Sequence, residues 1–270
     1  MEVRLAETPL AIQTHNLSRS FGGVPALDEL TLEVAEGSFF GYLGPNGAGK
    51  STTINILTGL LSPDGGSARV LGFDVESQVL DIKRRIGVVP DGLHLFERLS
   101  GEEHLRFVGE AHGLSAAEAR QRTGQLLEAM DLTADANKLV AGYSHGMRKK
   151  LALSCALIHD PRLLFLDEPF EGVDAVATRE LRDLLRKLVA TRRVTVFLTS
   201  HVLEVVERLC THVGIIAKGR LAASGTLDEL RRGGDGGSRS LEELFLDTVG
   251  APRDSAGNGL SWLARERDAE

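Results

Sequence analysis

Short apolar runs and longer amphipathic stretches alternate along most of this chain, and the alternation predicts its elements. Residues 11–17, 30–34 and 39–43 have the apolar, β-branched and aromatic density of strands, and a helix is expected over 50–58. Another short strand is expected over 85–89, after which the pattern turns helical. Ser100 with Glu103, and Ser115 with Glu118, have the spacing in which a serine hydroxyl caps the third backbone N–H while the glutamate reaches back. Each pair precedes an amphipathic run, and a further helix is expected from Ser144 to about His159. Strands return over 163–166, 194–198 and 213–217, with a helix over 175–190.

Near-continuous apolar strands are those buried on both faces, so their alternation with helices predicts an α/β core around a mostly parallel sheet. The helical middle, 91–158, reads as an insertion into that core. No internal repeat or heptad array is present. The body of the chain is expected over 8–232, followed by a flexible Gly-rich linker at 233–239. Ser240 with Glu243 forms one more capping box, opening a short helix to about Val249. The last twenty residues, rich in charge, Gly and Ser, are expected to be disordered, so 240–270 reads as helix plus tail.

Composition narrows the class. With 42% hydrophobic and 26% charged residues in 270, the chain can bury a core, which excludes a disordered protein. No apolar run approaches the roughly 18–20 residues that cross a bilayer, and the N-terminus has no basic stretch followed by an apolar core. The two cysteines, Cys155 and Cys210, lie in apolar helical patterns, so no disulfide framework is expected and a reducing cytoplasm fits. A net charge of −7 leaves no overall basic footprint, and no nucleic-acid partner is expected.

Two motifs carry chemistry. Gly44-Pro-Asn-Gly-Ala-Gly-Lys-Ser51, followed by Thr52, fits G-x-x-x-x-G-K-[ST] between an expected strand and an expected helix. Glycines let successive backbone N–H groups converge on phosphate, and the helix N-terminus adds a favourable dipole. Lys50 is placed for the β- and γ-phosphates and Ser51 for Mg²⁺. Further on, Leu163-Leu-Phe-Leu-Asp-Glu168 ends an apolar strand in two acids. Asp167 then lies at the sheet's C-terminal edge, where it can hold Mg²⁺ through water, and Glu168 is placed to activate a water. These motifs read as a nucleoside triphosphate site. Asn137-Lys-Leu-Val140 approaches the guanine-reading N-K-x-D but lacks its acid, which favours ATP over GTP.

Over residues 11–230 the sequence resembles the ATP-binding cassette family, the nucleotide-binding subunits of ABC transporters. Phe21 stands where that family has its adenine-stacking aromatic, although it also reads as a core residue of an early strand. Tyr143-Ser-His-Gly-Met147 stands at the signature motif, keeping Ser144 and Gly146 of L-S-G-G-Q, and Ser144 reads equally as a helix N-cap. Gly172-Val-Asp174 matches the loop that communicates across the dimer, and His201 the switch histidine, which read alone is a satisfied structural histidine. Asp91, after Gly87-Val-Val-Pro90, stands where the family has its coupling glutamine and can reach Mg²⁺ through solvent.

The resemblance implies a P-loop NTPase (RecA-like) core, an antiparallel β subdomain and the inserted helical subdomain. It further implies ATP with Mg²⁺ as cofactors and a dimer, of two copies or with a second cassette. Each ATP would then be bound by Gly44–Thr52 residues, including Pro45, Asn46, Gly47, Ala48 and Gly49, and by Ser144 and Gly146 of the other subunit. Lys50, Glu168 and His201 would support hydrolysis. A separate transmembrane permease would dock near 91–110, placing the chain on the cytoplasmic face of the membrane. The Arg148-Lys-Lys150 run after the signature resembles subunits serving drug, polysaccharide or lipid exporters. A cassette acting on ribosomes or DNA, or a P-loop kinase of a small molecule, is the rival reading.

Overall fold

The computed structural model describes residues 9–190, 194–232 and 240–249. Two sheets and the helices around them enclose two apolar cores. The first is antiparallel, in the order β2 (Val24–Ala35), β1 (Leu10–Phe21), β4 (Gly65–Val70), β5 (Phe73–Asp74). The second has six strands in the order β10 (Arg220–Thr226), β9 (His212–Ala217), β3 (Phe39–Leu43), β8 (Thr195–Thr199), β7 (Leu163–Asp167), β6 (Ile86–Val89). All its neighbours are parallel except the β9–β10 edge pair.

Every residue of β3, β7 and β8 is buried, which is why these strands read as unbroken apolar runs. Their side chains nevertheless alternate between two cores. Phe40, Tyr42, Phe165 and Phe197 pack toward the antiparallel sheet and α1 (Lys50–Leu57), with Phe197 stacked on Phe40 at 5.6 Å between ring centres. Leu43, Leu164, Leu166, Val196 and Leu198 pack into the core on the other face.

That second core is roofed by the inserted helices α3 (Gly101–Ala111), α4 (Ala116–Ala129) and α5 (His145–Leu157), which leave the sheet after β6 and return at β7. The expected capping boxes start α3 and α4, with Ser100 and Ser115 each both giving and receiving a bond with the glutamate three residues on. Ser144 caps α5 by accepting the Met147 N–H at 3.2 Å. Helices α6 (Ala175–Ala190) and α7 (Leu203–Leu209) cover the same face.

The longest departures from the pattern are at the half-exposed strands. β1 and β2 run twelve residues each, longer than their apolar cores, because their outer positions face solvent. β4 is missed by hydrophobicity because only Ala68 and Val70 of Gly65–Val70 are buried. β10 is an edge strand with alternating exposure. The short helices α2 (Val79–Lys83) and α8 (Leu227–Arg231) are likewise too brief to show a period.

The C-terminal helix α9 (Leu241–Val249) forms as its capping box predicts, with Ser240 and Glu243 bonded both ways. It is docked rather than free: Leu241 is fully buried, and Glu207 of α7 accepts from both the Leu241 N–H and Arg231. The expected linker 233–239, the tail beyond 249 and residue 8 lie outside the described residues. Cys155 and Cys210 are free thiols, and burial pushes Cys155 up to about 12, which keeps it unreactive.

One junction between insertion and sheet titrates. His112, at the end of α3, and His159, after α5, stack at 3.8 Å between ring centres, and His159 Nε2–H donates to the Ile86 carbonyl at 2.9 Å. Burial, then the neighbouring His112, lowers the His159 pKa from 6.5 to about 4. Between those values the unfolded chain binds the proton and the folded chain does not, so stability falls as pH drops from 6.5 toward 4. Melting temperatures of wild type and His159→Gln should therefore diverge: the wild type loses more between neutral pH and the acid end of that window. Parallel curves would remove His159 from the acid response.

Candidate functional site

The sheet's C-terminal edge assembles the site. β3 ends at Leu43, and the chain turns through Gly44–Gly49 into α1, whose first residue is Lys50. Gly49, the cap of that helix, has φ +112°, and a Cβ there would stand 2.6 Å from the Ala26 carbonyl oxygen. Only glycine meets both conditions. Lys50 is buried, and its Nζ donates to the Gly44 carbonyl at 2.6 Å and the Pro45 carbonyl at 3.3 Å, holding the ammonium across its own loop.

Asp167 ends β7 beside this loop. Its Oδ1 accepts the Thr199 hydroxyl at 2.5 Å, and its Oδ2 accepts the Ser51 hydroxyl at 3.1 Å. The strands β7 and β8 and the start of α1 are thereby joined by one carboxylate. Glu168 follows in a left-handed turn, φ +47°, with its N–H on the same Thr199 oxygen at 3.1 Å. The turn sends its carboxylate to His201, whose Nδ1 lies 3.0 Å from Oε2 while the His201 N–H donates to that oxygen at 3.3 Å. Glu168 is mostly enclosed and His201 is half exposed, so the pair borders solvent.

These groups share one cavity of about 850 Å³. Its walls include Phe21, Gly44, Pro45, Asn46, Gly47, Gly49, Lys50, Ser51, Thr52, Asp91, Asp167, Glu168 and His201, all anticipated from sequence. Three anticipated residues stand elsewhere. Ala48 is 3% exposed beneath the loop, its N–H on the Pro45 carbonyl and its carbonyl accepting from Gly219, so it forms the floor. Ser144 and Gly146, at the start of α5, do not line the cavity. That start is exposed and abuts the 171–174 turn, where His145 Nε2 reaches the Glu171 carbonyl at 3.1 Å.

Phe21 is 50% exposed with the Arg19 guanidinium 5.1 Å from its ring centre, so it is a wall aromatic and not a core residue. Ala26, Glu171 and Phe245 complete the lining and were not anticipated. Phe245 comes from α9, and only that helix's docked placement brings it in; its apolar spacing alone reads as ordinary packing.

A family model described as ABC transporter matches residues 27–171. The chain belongs to the ABC transporter ATP-binding family. It is 41% identical over 221 residues to the daunorubicin/doxorubicin resistance ATP-binding protein DrrA of Streptomyces peucetius, covering 82% of this chain and 67% of that one. It is 35% identical to the bacitracin transport ATP-binding protein BcrA of Bacillus licheniformis, over 82% of this chain and 71% of that one. Among solved structures, an ATP-binding subunit of an ABC transporter superposes with TM-score 0.82 at 33% identity, over 88% of this chain and 99% of that one. A bacterial ABC transporter cassette solved as a dimer follows at TM-score 0.74 and 25% identity, over 80% and 98%.

The cassette therefore binds ATP and hydrolyses it in support of transport, on the α/β core expected of it. Among the described residues no helix is long and apolar enough to cross a membrane.

Stacking of a base on an aromatic contributes about 1–3 kcal/mol. Phe21→Ala is expected to weaken ATP binding by that amount in titration calorimetry, whereas Phe21→Tyr keeps the affinity. Equal affinities for all three proteins would take Phe21 out of base recognition.

Proposed function

We propose that this cassette energises export through a separate membrane permease, by closing as a dimer around two ATP molecules and reopening after hydrolysis. The observation that carries the dimer is the placement of Ser144 and Gly146. Ser144, exposed, caps a helix start that does not line the chain's own cleft, and a helix N-terminus is suited to an anion held by another subunit. Two copies, or one copy and a sister cassette, then complete each other's sites.

Within one site, Lys50 and the loop N–H groups hold the β- and γ-phosphates, and Phe21 holds the base. The Ser51 and Asp167 oxygens, 3.1 Å apart at the cleft wall, are hard donors of the kind Mg²⁺ takes, with phosphate and water completing its shell. Asp91, which also lines the cleft, reaches that shell through solvent. When bound, Mg²⁺ neutralises charge developing on the phosphate oxygens. Glu168, already aimed into the cleft, accepts the proton of the attacking water. His201 fixes the Glu168 carboxylate on one side and offers its other ring nitrogen toward the γ-phosphate.

The export direction follows the chain's likeness to DrrA and BcrA and the Arg148-Lys-Lys150 signature variant. Docking of the permease is supported by an exposed aromatic pair, Phe96 and Phe107, 5.5 Å apart in edge-to-face contact at the start of the insertion. This arrangement puts the cassette on the cytoplasmic face of the membrane.

A positioned general base contributes about 10²- to 10⁴-fold. Glu168→Gln should lose hydrolysis by that factor, keep ATP binding, and form ATP-dependent dimers in sedimentation. Wild-type hydrolysis would dismiss Glu168 as the base, and a variant that stays monomeric with saturating ATP would dismiss the sandwich. Tagged cassette purified from its host's solubilised membranes should carry a multi-spanning permease. Ribosomes or soluble factors in its place would redirect the ATPase to another task.

A further inference from the structure

Lys50 and Lys149 are the buried lysines among the described residues. The first belongs to the phosphate loop; the second lies on α5 and does not line the cleft. Its neighbours in the run are partly buried and each pairs with a carboxylate, Arg148 with Glu97 at 3.0 Å and Lys150 with Glu180 at 2.7 Å. Lys149 is 2% exposed. It borders a small apolar crevice with Val89, Leu153, Leu166 and Phe170, and its Nζ donates to the Glu168 main-chain carbonyl at 2.8 Å. Burial lowers its pKa, opposed by the carboxylates facing it from three elements: Asp91 after β6, Glu171 and Glu168 after β7, and Asp167 at the end of β7.

Glu168 is a non-glycine residue in the left-handed region, φ +47°, and that turn is what points its carboxylate at His201. Such a conformation persists only where surrounding bonds over-determine it. Two bonds do so here: the N–H on Thr199 from the sheet side and the carbonyl on Lys149 from the helical insertion. We propose that Lys149 is a positioning residue for hydrolysis: by holding the Glu168 carbonyl it fixes the left-handed turn that aims the Glu168 carboxylate, and it ties that aim to the position of the signature helix. The ammonium also offsets the excess of carboxylates that Asp91 adds to the cleft wall. Movement of α5 during dimer closure is thereby transmitted to the catalytic corner through one side chain.

This rests on the reading of Glu168 as the base, so the test runs on both residues in the full-length chain. Single-turnover hydrolysis of MgATP and ATP affinity are measured for wild type, Lys149→Met, Lys149→Arg, Glu168→Gln and the Lys149→Met/Glu168→Gln double variant. Misplacement of a reacting group by about 1 Å costs about 100-fold. Lys149→Met, which keeps the stem, is expected to lose about 10- to 100-fold in hydrolysis with ATP affinity changed by less than about twofold. Lys149→Arg should recover most of the rate.

In the Glu168→Gln background the same Met substitution should change the residual rate by less than about twofold, because its effect passes through Glu168. Lys149→Met at the wild-type rate, or an equal loss with and without Glu168, overturns the proposal. Should Lys149→Met fail to fold, Lys149→Gln and Lys149→Arg carry the same comparison, and wild-type hydrolysis by the Gln variant overturns it. A Glu168→Gln variant that hydrolyses normally would instead overturn the base assignment, so the two failures are distinct.

Discussion

The site hangs on the side chain of Asp167. A carboxylate 8% exposed at the end of a fully buried strand has lost most of its water, and its two oxygens find replacements in hydroxyls from opposite directions: Thr199 across the sheet and Ser51 on α1. Those two bonds set the distance between the phosphate loop and the strand edge. They also leave Thr199 oriented to receive the Glu168 N–H, so the residue that binds and the residue that reacts are placed by the same contact. A charged group is affordable here because it is bonded on both oxygens.

Much of this was legible in the chain, for reasons that differ from part to part. β3, β7 and β8 are buried on both faces, so each is an unbroken apolar run, and the residue after each run must lie at the sheet's edge. The phosphate loop is legible because Gly47 and Gly49 take positive φ, which restricts those positions to glycine in practice. Helix starts at Ser100, Ser115 and Ser240 are local chemistry, complete within four residues, and they stood as read.

What stayed hidden depends on contacts between distant segments. Nothing near Phe245 in sequence announces that it borders the cleft; Glu207, more than thirty residues earlier, anchors the start of its helix and decides it. Lys149 reads as one more charge in a basic run, and only the packing of α5 separates it from its neighbours, which pair with Glu97 and Glu180. Ala48 fits the phosphate motif yet sits under the loop, because the β9–β10 turn at Gly219 packs against it. β4 and β10 escaped because strands with one solvent face carry half the apolar signal.

The start of α5, exposed at Ser144 and outside the chain's own cleft, has a kinetic consequence. If Ser144 serves only a neighbour's ATP, a lone cassette carries two half-sites and no whole one, and its turnover in dilute solution rises with the square of its concentration. Tethering two cassettes to one membrane protein replaces that collision with a fixed, high effective concentration. The reaction then becomes first order in the assembled complex, and cassettes adrift in the cell leave its ATP pool untouched.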